Sequence, residues 1–133
     1  MSVTYYPIFS GVKDVAGTTS TWGSVSSGDF TDQTTGNSIA TGRRYQRIVA
    51  TNTSSVAAMI SWAKDTTTLN AQSANDGYPL APGESQEFIL YSIGASEGVQ
   101  VVGAIVDPDL TTTNLGSGVN ATTVAVYAEF GNT

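Results

Sequence analysis

Any chemistry in this 133-residue chain has to do without histidine and cysteine and draws chiefly on carboxylates, arginines, two lysines, hydroxyls and aromatic rings. That absence excludes a Ser-His-Asp triad, a thiol nucleophile, a Cys/His zinc site, a His or Cys haem ligand and any disulfide. A hard cation such as calcium takes clustered carboxylate and carbonyl oxygens. Asp107 and Asp109 could supply them with Asn75 and Asp76, or with Asp29 and Asp32. The spacing is not that of an EF-hand loop, and Asp107-Pro108-Asp109 also reads as a strand terminator, so no metal site is assigned. A glycosidase needs two carboxyls about 5–10 Å apart in a cleft. Glu84, Glu87, Glu97 and Glu129 are the candidates, but nothing in their spacing brings two together, and solvated surface positions account for them. Gly116-Ser117-Gly118 lacks both the lysine and the following helix of a phosphate loop. No catalytic residue and no cofactor is assigned, and the chain reads as a non-enzyme.

Binding chemistry has better material. Arg43, Arg44 and Arg47 hold three of the five positive charges within five residues. On an acidic chain they could receive an acidic partner or a neighbouring subunit's carboxylates, for which the guanidinium fork is well shaped. Charge placed on an edge strand to block aggregation is the competing reading. Tyr5, Tyr6, Tyr45 and Tyr127 divide in the same way between interface aromatics and core rings with hydroxyls at the rim. The candidate interface set is therefore Tyr5, Tyr6, Arg43, Arg44 and Arg47. Trp22, Trp62 and Tyr78 could also stack a sugar ring, against a plain core role for each.

Charge narrows the partners. Lys and Arg number 5 against 11 Asp and Glu, a formal net charge of −6, and charged residues make up only 12% of the chain, against about 25% in an average protein. Nucleic acid is not expected, since phosphate neutralisation needs clustered Lys and Arg. Neither is a membrane, because no segment approaches the roughly 18 apolar residues of a spanning helix. The opening Met1-Ser2-Val3-Thr4-Tyr5-Tyr6-Pro7 has no basic region followed by an apolar one, so synthesis in a cytoplasm is expected. Two sequons, Asn52-Thr53-Ser54 and Asn120-Ala121-Thr122, are of the kind a Thr- and Ser-rich chain generates by chance.

The elements that must position these residues read as short strands between polar turns. Val3 to Phe9 alternates, with a proline that suits an edge strand or an extended arm, and Gly11 to Val15 continues it after a bend. Residues 16 to 42 carry only Trp22, Val25, Phe30 and Ile39 as sizeable apolar side chains, so they form either a long ordered loop with isolated anchors or an arm structured by a neighbour. Segments 1–42 and 43–133 are accordingly distinguished as arm and core of one structural domain. Arg44 to Ala50 is a β-branched and aromatic run. Val56 to Trp62 fits either a helical or a strand face, and its length of about eight residues decides for strand, with Val56, Ala58, Ile60 and Trp62 together. Pro82-Gly83 suits the two central positions of a turn. In Gln86 to Tyr91, Phe88 and Leu90 oppose Glu87, Ile89 and Tyr91. Val99 to Val106 is apolar on both faces, so its second face requires cover from an arm, a loop or another subunit. In Thr123 to Phe130, Val124, Val126, Ala128 and Phe130 oppose Ala125, Tyr127 and Glu129. Thr66 to Asp76 reads as loop with Leu69 and Ala71 as weak anchors. Six to eight strands without an amphipathic helix predict an all-β, antiparallel β-sandwich of jelly-roll or Greek-key type, with an extended N-terminal arm.

One combination of these segments is familiar: Ala50-Thr51-Asn52-Thr53-Ser54 after a strand, a strand ending in Ser61-Trp62, and Tyr78-Pro79-Leu80-Ala81-Pro82-Gly83-Glu84-Ser85-Gln86-Glu87-Phe88. It resembles small β-rich virion proteins of tailed bacteriophages, over roughly residues 44 to 92. Within that group, length, acidity and the lack of cysteine look most like a capsid decoration (cement) protein. The resemblance implies a virion structural protein that sits on the outer head surface as a homo-oligomer, a trimer in the typical case, bridging neighbouring major capsid protein subunits. A neck, tail or fibre-associated component, or a carbohydrate-binding sandwich, are the alternatives.

Overall fold

The computed structural model describes residues 9–17, 21–90, 98–106 and 123–131. Among these residues eight strands form two four-stranded sheets: β1 (Phe9–Ala16), β2 (Gly23–Ser26), β3 (Tyr45–Asn52), β4 (Ala58–Ala63), β5 (Tyr78–Leu80), β6 (Ser85–Ile89), β7 (Val101–Val106) and β8 (Thr123–Phe130). The first sheet runs β1-β8-β3-β6 and the second β2-β7-β4-β5, every pair antiparallel. First meets last, second meets seventh, third meets sixth and fourth meets fifth, as if one long hairpin had been rolled across both sheets. That winding is the jelly roll.

Strict alternation builds the space between the sheets. Val124, Val126, Ala128 and Phe130 of β8 are all fully buried, and they meet Ile48 and Ala50 of β3, Ala58 and Ile60 of β4 and Val102, Ala104 and Val106 of β7. Val56 and Trp62 join that face of β4, as the period of two requires. At one end Phe30, Tyr45 and Phe130 interlock, with ring centroids 5.9, 5.1 and 4.6 Å apart in edge-on and tilted pairs. The Tyr45 hydroxyl donates to Val25 O at 2.7 Å, so the ring is buried without stranding its polar end. Between β5 and β6 the Pro82-Gly83 turn closes as its composition predicts: Gly83 has φ +79, and Glu84 N donates to Ala81 O at 2.9 Å.

Four lone anchors decide how residues 16–42 are held. Trp22, Val25, Phe30 and Ile39 are all at most 6% exposed, so the described part of the stretch, residues 21–42, is held on this chain's own core. It contributes β2, a single 3-10 turn at Ser27–Asp29 and a Thr31–Ser38 bridge. Ser27 Oγ donates to Ala40 O at 2.6 Å and accepts from Arg43 N at 3.0 Å, fastening the segment to the start of β3. The expected division at residue 42 thus does not separate an arm from a core among the described residues, since β1 and β2 supply one edge strand to each sheet. Residues 1–8, with Tyr5 and Tyr6, lie outside the described residues.

The second face of β7 is covered from within. Val101 and Ile105 pack with Trp22, Ala63 and Leu69, the last fully buried from a one-turn helix, α1 (Thr66–Asn70). Asp65 caps α1 by accepting from Thr68 N at 2.6 Å. Of the three covers that the apolar strand required, a loop of the same chain is the one found. Thr66–Asn70 differs from its expected loop because the capping aspartate and the burial of Leu69 stabilise a single turn too short to show a helical period. Among the described residues no helix is long and apolar enough to cross a membrane.

Candidate functional site

The three arginines separate into two groups. Gln46 sits in a register irregularity between Tyr45 and Arg47 on β3, opposite β8. Arg43 and Arg44 precede it at the end of the sandwich: the Arg43 guanidinium lies 4.7 Å from the Phe9 ring centroid and donates to Gly131 O at 3.4 Å. Arg44 lies across Gly98, so closely that a Cβ there would meet its side chain. Arg47 points instead from the outer face of the first sheet. Its Nε and Nη2 reach Glu87 Oε2 on β6 at 2.7 and 2.6 Å, and its Nη1 reaches Glu129 Oε2 on β8 at 3.0 Å. Tyr127 donates its hydroxyl to the same Glu129 oxygen at 2.7 Å, with its ring 5.8 Å from the guanidinium.

Register explains the convergence: Arg47 pairs with Glu129 on one side and Ile89 on the other, while Val49 pairs with Tyr127 and Glu87. The Glu87 hydrogen bonds, opposed by partial burial and reinforced by the Glu129 charge, raise the Arg47 pKa above its ordinary value. Burial first, and then the bond to Glu129 and its charge, push the Tyr127 phenol up, against a Ser10 hydrogen bond and the Arg47 charge. Around this buttoned centre lie Val12, 52% exposed, Ile89, 54% exposed, and half-buried Val49, Thr51 and Ala125. No described element packs over them, whereas α1 and Trp22 cover the outer face of the second sheet.

A second feature forms where β5 ends. β5 pairs only with Ala58, Met59 and Ile60, so Ser61 and Trp62 of β4 run past it. The segment between α1 and β5 folds across the gap and leaves a cleft of about 440 Å³ bounded by Ser61, Trp62, Gln72, Asp76, Gly77 and Tyr78. Phe88 backs the aromatic wall, 5.0 Å from Trp62 and 5.2 Å from Tyr78 between centroids.

The other candidates resolve locally. Trp22 is 6% exposed and donates Nε1–H to Gln72 O at 3.2 Å, so it is core and unavailable for stacking. Asp29 and Asp76 accept from the backbone of Ser26 and Ser73 within their own 3-10 turns. Asp32, 2% exposed, accepts from the amides of Ser10, Thr34 and Thr35 and from the Thr35 hydroxyl. Among the described residues no three His, Cys, Asp or Glu side chains come together as a metal site would need, while Asp107 and Asp109 lie outside them. Glu87 and Glu129 do come together, but around a guanidinium on an outer sheet face and without a cleft between them. Glu84 accepts from Ala81 N, and Glu97 lies outside the described residues. Asn52 is fully buried, donating to Val56 O and Leu80 O and accepting from Ser54, so this sequon is closed to a glycan in the folded chain. Alternation alone separates Glu87 from Phe88 and Leu90, and Glu129 from Val124, Val126, Ala128 and Phe130, but the partner strand and register that join both to Arg47 have no local signal. Comparison with protein-family models, with curated proteins and with solved structures finds no match to the chain.

Proposed function

We propose that this protein is a structural component of a bacteriophage virion, a decoration protein that binds the outer head surface as a homo-oligomer and braces neighbouring major capsid protein subunits. The observation that carries the reading is the asymmetry of the sandwich. The second sheet is closed on its outside by the chain's own helix and tryptophan, while the first presents Val12, Val49, Tyr127 and Ile89 around an Arg47 guanidinium shared by two carboxylates. The face sets Tyr127, Val49 and the Arg47 ion pairs on its two central strands and Val12 and Ile89 on its outer ones, a mixture of aromatic, aliphatic and paired charged groups that suits a protein partner. Jelly rolls serve in both capsid and lectin proteins, so the fold is compatible with this role without selecting it.

Magnitude bears on the oligomer. Four strands about 4.8 Å apart, taken as about eight residues at about 3.3 Å each, make a face of at most roughly 500 Å². A footprint of that size, even with the extra accessible surface of its corrugated side chains, belongs to the smaller protein interfaces. One copy would bind weakly, and several linked copies on a repeating shell would hold by avidity. The apolar second face of β7 is spent on the chain's own Trp22 and Leu69 and does not contribute. The test is to mix the purified protein with heads that lack it and sediment them. Retention on heads supports the reading, retention on tails or necks alone would move it to that part of the virion, and no retention on either would overturn it.

A further inference from the structure

We propose that the cleft beside β5 is a binding site for a neutral saccharide. Its two walls differ in the way the two aspects of a pyranose ring differ. One wall is aromatic: Tyr78, 42% exposed, and half-buried Trp62, both held from behind by Phe88. The other is polar and already fixed in place. Gln72 Oε1 accepts from Ser61 Oγ at 2.5 Å, and Gln72 Nε2 donates to Trp62 O at 3.3 Å, which sets the carboxamide before any ligand arrives. The bonds Asp76 receives from Ser73 N and Oγ, at 2.8 and 3.3 Å, both fall on Oδ2, so Oδ1 keeps acceptor capacity for a hydroxyl. Pre-set polar groups spare the ligand an ordering cost.

Size and charge select the class. A cleft of about 440 Å³ lies within the range of small-molecule sites, about 300–1,000 Å³. Stacking the C–H face of a sugar on Tyr78 and Trp62 would leave its hydroxyl rim to Asp76 and Gln72. Asp76, on a chain of formal charge −6, disfavours uronic or sialic acids. A proline-rich peptide would use the aromatic wall alone and leave the polar wall unmatched. The glycine at the floor is part of the construction: a Cβ on Gly77 would lie 2.8 Å from Met59 Cβ and 2.9 Å from the Trp22 ring, so only glycine lets the backbone lie this deep. The site lies at the edge of the second sheet, away from the open face of the first, and stands whether or not the protein binds heads.

The full chain, fluorescently labelled, is applied to an array of neutral hexose oligosaccharides, uronic and sialylated oligosaccharides and proline-rich peptides. Retention on neutral glycans alone is the expected result. Tyr78→Ala, at an exposed position, should weaken that binding about tenfold, the change carried by one aromatic contact of about 1.4 kcal/mol. Asp76→Asn should weaken it with thermal unfolding unchanged, and Val12→Asp on the other sheet should leave it as it was. Retention of no glycan, equal binding by Tyr78→Ala, or retention of the proline-rich peptides in place of glycans would overturn the assignment.

Discussion

Asp32 is almost fully buried yet holds its charge, and the balance is visible atom by atom. Burial pushes its pKa up, but the Thr35 hydroxyl and the amides of Ser10, Thr34 and Thr35 outweigh it and hold the carboxyl below its ordinary 3.8. A depressed folded pKa contributes stability that is fully present above the unfolded value and is lost as pH falls through the folded one. Asp32→Asn should therefore be less stable than the parent chain at pH 7, with the gap closing below pH 3.8, as urea titrations across that range would show. A gap independent of pH would mean that the carboxylate is not what ties the loop to Ser10. Tyr45 gives a second test at this scale. Tyr45→Phe leaves Val25 O without its buried donor and should cost about 1 kcal/mol, whereas Tyr45→Ala also empties the Phe30–Phe130 nest and should cost about 3–5 kcal/mol.

Elements differ in how far the sequence reveals them. β8 was legible in full, because Val124 to Phe130 alternates without a break and its fully buried residues are those of one parity. β4 was legible through its length, and the shared face of Ala58, Ile60 and Trp62 followed. What covers β7 was not. Leu69 is a single apolar residue in a polar stretch, and a five-residue helix has too few positions for periodicity to register. Its importance comes from tertiary packing on Val101 and Ile105. Leu69→Ala should accordingly cost about 2–5 kcal/mol in chemical denaturation, in the range of a fully buried leucine in a core. A loss of less than about 0.5 kcal/mol, the scale of a surface substitution, would show that α1 does not close the second sheet.

At the scale of the whole molecule, a hairpin rolled over two sheets leaves, among the described residues, one outer face covered and one open. The arginine cluster, read as one patch, is split by the irregularity at Gln46, so that Arg43 and Arg44 serve the end of the sandwich and Arg47 the open face. The count of short, turn-punctuated strands pointed to the sandwich, but the register that gathers Arg47, Glu87 and Glu129 is a property of three strands at once. Glu129 is only 13% exposed and loses its cation in Arg47→Ala, so that substitution should cost about 1–3 kcal/mol in urea denaturation, while leaving two carboxylates without a cation on the open face. That face is testable without unfolding the protein through Val12 and Ile89, both more than half exposed. The most direct measurement is co-sedimentation of the parent chain and of the Val12→Asp, Ile89→Asp double variant with heads that lack the protein. The account predicts that the parent is carried down with the heads while the equally well folded variant stays in the supernatant. Equal recovery of both with the heads, or of neither, would contradict it.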